Sequence, residues 1–427
     1  GSVVMQSAFD AEISLRKQLT LDQKIDVQSE DIGPYALMFG QVLPDQITGL
    51  AAGAAGRLIL ENGQFALRDG SGSIEGTNWT GELKLNPELR VPKLTGSMVV
   101  DSVSLPSLAR YVLGQNITVA SFLERSAEPF NSSLLNWIDA KLSITADALD
   151  LGSKYVARKA VLTLELDDGA LVMEDIGAAY GANGALSATV SLVSGENGAA
   201  VEGRGQLKNI SLGDVLPETF SSIMGETDIT LEFQGTGRSP GELVGELTGS
   251  GAAQLSDLVL PGVNENGLAS LLAWADQFDE TPEAEALNTQ AAKDFSNGAL
   301  IAQETEFPFA MAGGTIRLSN LRLKGSASEL TGGARFNLVT GEVEADSVLR
   351  FTDGFEAVAG ASPEVNIAWT GPIANLAKSF DANGLSAYLG LRAFEREQRR
   401  VELLQARILE QQRLRREVRY YQSLISD

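Results

Sequence analysis

The residues whose type and spacing could do chemistry are a carboxylate pair and three glycine fragments. Asp167-Asp168 could hold a cation or share a proton, and Gly203-Arg-Gly205, Gly235-Thr-Gly237 and Gly249-Ser-Gly251 are G-x-G runs of the sort that lets backbone approach a pyrophosphate. Each reads more simply. The fragments lack the third glycine and the strand-to-helix context of a dinucleotide site, so they read as β turns. Asp167-Asp168 stands before Gly169 in a hairpin, where Asp is a turn former first. The sequence has no G-x-x-x-x-G-K-[ST] and no G-x-S-x-G run. Its 427 residues include no His and no Cys, which removes thiolate nucleophiles, disulfides, Cys/His zinc sites and imidazole bases. The chain therefore reads as a non-enzyme with no cofactor and no metal. Asn78-Trp-Thr80, Asn116-Ile-Thr118, Asn131-Ser-Ser133 and Asn209-Ile-Ser211 fit the glycosylation pattern, which chance supplies several times in a chain this long.

What remains for binding is apolar. Leu142 and Ile144, Leu162 and Leu164, Leu186, Val190 and Leu192, and Ile229, Leu231 and Phe233 alternate with polar neighbours, as do Ile367 and Trp369; Phe336 and Leu338 extend the set. Period two with a polar opposite face marks antiparallel strands of one apolar face. Hairpin turns at Glu61-Asn62-Gly63, Asp167-Asp168-Gly169, Ala182-Asn183-Gly184 and Gly195-Glu196-Asn197-Gly198 make sequence neighbours sheet neighbours. The pattern also repeats. Leu60-Glu-Asn-Gly63-Gln-Phe65-Ala-Leu67-Arg-Asp69 returns as Leu166-Asp-Asp-Gly169-Ala-Leu171-Val-Met173-Glu-Asp175, 106 residues on, and in shortened form as Gly314-Thr-Ile316-Arg-Leu318-Ser-Asn320. Val103-Ser-Leu105-Pro106 returns as Ile210-Ser-Leu212-Gly213 after 107 residues, each a strand running into a short helix. A fixed period argues for an elongated array of β units.

These readings predict a mainly β protein: an elongated, twisted antiparallel sheet curled into an open groove, with a few short capping helices and a long C-terminal helix. The groove occupies residues 1–390, in units of roughly 50–150, 151–260 and 298–380, with a helical insertion near 264–297. An alternating run through Phe9, Ala11, Ile13, Leu15, Leu19, Leu21, Ile25 and Val27 opens it. Short helical stripes fall at Leu105, Leu108, Val112 and Leu113; at Leu212, Val215, Leu216, Phe220 and Ile223; and at Leu268, Leu271, Leu272 and Ala275, the last followed after Pro282 by an acidic, mobile segment to Asn297. Residues 391–427 form an amphipathic helix with Val401, Leu404 and Ile408, then Leu414, Val418, Tyr421 and Ile425, at heptad spacing across a polar break. An open apolar face of this size needs a cover, and acyl chains supply one at ~0.8 kcal/mol per buried CH₂.

Charge narrows the partners. A net charge of −23 excludes phosphate-neutralising nucleic-acid binding. Residues 391–427 hold nine Arg against six acidic residues, a local +3, which leaves −26 on the remainder. No stretch reaches the ~18 apolar residues of a spanning helix. Gly1-Ser2 reads as a cloning remnant on an excised fragment, whose parent carries any anchor.

Gly225-Glu-Thr-Asp228-Ile-Thr-Leu231-Glu-Phe233-Gln-Gly235-Thr-Gly237-Arg-Ser-Pro240, with Leu243, Leu247-Thr-Gly249-Ser-Gly251 and Leu255-Ser-Asp257-Leu258, resembles the C-terminal region of AsmA-like proteins. Leu338, Thr370-Gly371-Pro372-Ile373 and Leu391-Arg-Ala-Phe394-Glu-Arg-Glu397-Gln-Arg-Arg400 resemble the tails of alphaproteobacterial members. The resemblance implies a bridge-like lipid transfer protein in the periplasm of a Gram-negative bacterium, its parent anchored in the inner membrane by an N-terminal helix. It implies phospholipid as the ligand, outer-membrane homeostasis as the role, and envelope proteins as partners of the C-terminal helix. A periplasmic scaffold assisting outer-membrane protein assembly without carrying lipid is the alternative. A carbohydrate-binding repeat protein would favour more aromatic platforms than 4 Trp and 7 Tyr provide.

Overall fold

The computed structural model describes residues 21–34, 49–87, 89, 91–113, 129–130, 138–152, 156–195, 198–216, 220–278, 281–352 and 362–426. The alternation at Phe9, Ala11, Ile13, Leu15 and Leu19, the Asn116 and Asn131 runs, the turn residues Glu196-Asn197 and part of the Leu212 stripe (217–219) lie outside the described residues.

Among the described residues nineteen strands form one sheet. It runs through β1 (Leu21–Ser29), β2 (Ala52–Glu61), β3 (Gln64–Ile74), β4 (Thr77–Asn86) and β5 (Lys93–Ser104). It continues through β6 (Asp139–Asp150), β7 (Val156–Asp167), β8 (Ala170–Tyr180), β9 (Gly184–Gly195), β10 (Gly198–Ser211), β11 (Met224–Gly237) and β12 (Thr248–Pro261). It ends with β13 (Ala299–Ala302), β14 (Thr305–Ala312), β15 (Thr315–Lys324), β16 (Ser328–Asn337), β17 (Glu342–Phe351), β18 (Glu364–Pro372) and β19 (Ala377–Asp381). Each strand pairs with the next in sequence, except that β13 and β14 both pair with β12 along one edge. Two expectations are corrected. The sheet is open and uncurled, with β1 and β19 not paired to each other among the described residues. It is not wholly antiparallel either: β5 and β6 run parallel, because the 34 residues between them return the chain to the starting end.

The repeated motif supplies two local devices. Asn62-Gly63 and Asp168-Gly169 have φ of 52° and 76°, and 46° and 75°, the paired left-handed residues of a tight two-residue hairpin. Six residues past each of these glycines, Asp69 and Asp175 also turn left-handed (φ 47° and 50°), where the ladder register shifts. The inward position therefore moves by three residues, from Leu67 to Gly70 and from Met173 to Ile176, and from Leu318 to Leu321 in the third copy. Such bulges keep one face apolar while breaking strict alternation.

Six helices are described: α1 (Leu105–Leu113), α2 (Leu212–Val215), α3 (Pro240–Gly245), α4 (Gly267–Ala275), α5 (Ala284–Ser296) and α6 (Asn383–Ser426). They cover the apolar face in two places. A first cluster joins Leu142, Ile144, Leu162, Leu164, Leu171 and Met173 to Val112 and Leu113 of α1, which lies against β6 and β9. A second joins β12 to β19 with α4, α5 and the root of α6. Residues 284–296, expected as a mobile acidic segment, are helix α5. Leu287, Ala291 and Phe295 recur every fourth residue and are fully buried, so that face docks while its charges point outward. The C-terminal helix begins at Asn383, and Leu385, Tyr388 and Leu389 anchor it in the second cluster.

Candidate apolar binding face

The apolar face continues across strands because the register aligns its members. Leu186 faces Leu207, Leu192 faces Val201, and Ile229 faces Leu207 and Ala253. Its coverage is uneven. Leu142, Ile144, Leu162, Leu164 and Leu192 are buried in the first cluster and Ile367 in the second, so these serve as core. Leu186 and Val190 are half-buried at the margin of the first cluster, and Ile229 and Trp369 at the margin of the second. Leu231, Phe233, Phe336 and Leu338 are half-buried and belong to neither. Leu338 lies in the turn after β16 rather than in a strand, its N–H donating to the Gly314 carbonyl at 2.8 Å.

Leu231 and Phe233 occupy a distinctive position. Gly205 and Gly251 are the cross-strand partners of Leu231, and Gly203 and Gly249 are those of Phe233. The G-x-G fragments are thus not turns. They stand within β10, β11 and β12 on the apolar face, and at Gly203, Gly205, Gly249 and Gly251 the missing side chains leave main chain beside two large apolar groups. Rings lean into some of that space: a Cβ on Gly203 would lie 2.6 Å from Cζ of Phe233, and one on Gly251 would strike the ring of Phe309. A Cβ on Gly205 would meet only ordinary van der Waals contacts, Ser187 O and Ala188 Cβ at 3.7 and 3.8 Å.

The ends of this bare stretch are closed. Ile229 packs toward α2, whose Val215 touches both clusters. Gly235 and Gly237 sit under Leu243 of α3. That helix was missed in the sequence, although Ser239-Pro240-Gly-Glu242 carries its start: Ser239 Oγ accepts from the Glu242 N–H at 3.2 Å, and Pro240 opens the first turn.

The opposite side of the same strands is polar. Thr189, Ser191, Glu202, Arg204 and Glu232 line a shallow open depression of about 590 Å³, to which Gly203, Phe233 and Gly249 also contribute. Perturbed ionisable groups lie away from the bare stretch. Burial, with Glu75 adding, raises the Tyr111 hydroxyl to about 12. Burial pushes Lys378 down while its Nζ donates to the Gly262 carbonyl at 2.7 Å. Among the described residues no cluster of three or more Asp, Glu, His or Cys is placed to hold a metal ion, and no helix is long and apolar enough to cross a membrane. No family model, no curated protein and no solved structure matches the chain.

Proposed function

We propose that this chain is a lipid-binding segment of an AsmA-like envelope protein, carrying phospholipid acyl chains on the apolar face of β9 to β12 in the periplasm and supporting the outer membrane. One observation carries the reading: Leu231 and Phe233 stand half-buried among four glycines, outside both clusters and under no described helix. A methylene chain laid there gains ~0.8 kcal/mol per CH₂ removed from water. The contact is non-directional, so a tail slides along the face and no headgroup-specific residue is needed. Val190, Leu186 and Phe309 border the track, while the covered core at Leu142, Ile144, Leu162 and Leu164 provides rigidity. The resemblance at residues 225–258 supports the periplasmic setting and a parent tethered to the inner membrane.

Photo-crosslinking amino acids at Val190, Leu231 and Phe233, with Thr189, Thr230 and Glu232 as the opposite-face set, test the reading together with mass spectrometry of copurifying lipid. The apolar set captures phospholipid and the polar set does not. Equal labelling of both, or of neither, removes the lipid track.

A further inference from the structure

Beyond its root, the apolar residues of α6 belong to neither cluster. From Arg396 to Gln422 every side chain is exposed, and the thirty residues 397–426 at 1.5 Å each carry the helix ~45 Å past its last packed turn. Six of the nine large apolar residues exposed between 396 and 422 lie on one row, with Leu403, Leu409 and Tyr420 falling outside it. Val401, Leu404, Ile408, Leu414, Val418 and Tyr421, 40% to 63% exposed, recur with Gln411 every three or four residues, and Ile425 continues the spacing in sequence. Seven steps cover 24 residues, so on a turn of 3.6 residues the seam winds back by about a third of a turn. A flat surface cannot follow that drift. A second helix in a left-handed supercoil can.

The seam is also its own complement. Reversed about the point between Gln412 and Arg413, it lays Leu404 over Tyr421, Ile408 over Val418 and Gln411 over Leu414, each to within one residue, as a two-fold interface requires. Charge selects the direction. Residues 397–411 balance Arg399, Arg400 and Arg407 against Glu397, Glu402 and Glu410, whereas 412–426 set four Arg against Glu417, a net +3. A parallel pair stacks the basic halves and sets two bodies side by side, each −26 before residue 391. An antiparallel pair lays basic half on neutral half and holds the bodies roughly 50 Å apart, many times the ~8 Å screening length. We infer that the projecting part of α6 is a self-association element, through which two copies of this chain join as an antiparallel coiled coil with their sheets at opposite ends.

The chain has no cysteine, so single introduced thiols report the register. Full-length Leu404→Cys and Tyr421→Cys chains, mixed and oxidised, are expected to form the unlike disulfide in large excess over either like one. The unsubstituted chain is expected to sediment at twice its 45.3 kDa mass, and a chain carrying Leu404→Glu and Ile408→Glu at the single mass with its β-sheet circular dichroism unchanged. Efficient crosslinking of Leu404→Cys to itself overturns the antiparallel pairing. A monomer at tens of micromolar overturns self-association, as does a monomer that floats with phosphatidylglycerol vesicles through the same seam.

Discussion

Asp276, the residue that ends α4, accepts an ion pair from Arg392 of α6 at 3.0 Å and a second from Arg396 one turn later at 2.6 Å. A carboxylate at a helix C-terminus opposes the helix dipole, and the two guanidinium groups offset it. The pair therefore fixes the direction in which α6 leaves the sheet. Asp276→Asn should cost about 1 kcal/mol, since the groups are partly solvated. Limited proteolysis should then cut faster just after Gly390 while the β core melts almost where it did. A cleavage rate that does not change would show that the buried Leu385 and Tyr388 fix the exit alone.

Phe295 of α5 is fully buried, its ring 5.4 Å from that of Phe351 and 6.4 Å from that of Phe380. Phe295→Ala should lose ~3–5 kcal/mol, measured as a lower urea midpoint. A loss under about 1 kcal/mol would mean that the helical insertion is dispensable to the second cluster.

Two of the four glycines beside the track should respond differently to the same side chain. The Cβ of Gly205→Leu makes only ordinary contacts, so the fold should hold while lipid capture at Leu231 falls. Gly249→Leu drives its Cβ into the Glu232 carbonyl, a main-chain collision that should cost ~1–3 kcal/mol. Equal stability of the two variants would contradict the close approach of β11 and β12.

Val190 is half-buried and Leu164 is 9% exposed. An Asp at Val190 keeps contact with water and should leave a folded chain that captures less lipid. An Asp at Leu164 buries an unpaired charge and should destabilise by several kcal/mol, of order 3 or more. Thermal melts of both variants separate track from core; matched melting curves would merge them.

Tyr111 titrates at about 12, against a usual value of 10.0, because burial disfavours its phenolate and Glu75 adds to the effect. The folded state holds this proton more tightly than the unfolded chain does. Its contribution is thus complete below about pH 10 and lost as pH rises through about 12. Ultraviolet titration should show one tyrosine ionising last, and Tyr111→Phe should remove that phase and flatten the alkaline fall in stability. Its persistence in the variant would assign it elsewhere.

The local order of this protein was written in its residues. Alternation at Leu162 to Leu166 or Ile229 to Phe233 can satisfy only a one-faced strand, and Asn62-Gly63 and Asp168-Gly169 admit the left-handed pair that a two-residue hairpin needs. Helices α1, α2 and α4 and the long C-terminal helix were legible for the same reason: their apolar spacing fits one period. Tertiary structure decided what covers what. Sequence could not divide one apolar row into core and track, because Leu164 and Leu231 share an identical local pattern and differ only in whether a helix or neighbouring cluster reaches them. Nor could it place the glycines of Gly203-Arg-Gly205 and Gly249-Ser-Gly251 on that face, since their role depends on which side chains stand opposite across the ladder. Helix α5 fell within the expected helical insertion, but its acidic composition read as mobile, and only the burial of Leu287, Ala291 and Phe295 shows why they recur every fourth residue. Register and coverage are long-range properties, fixed by strands far apart in the chain, and a local pattern does not encode them.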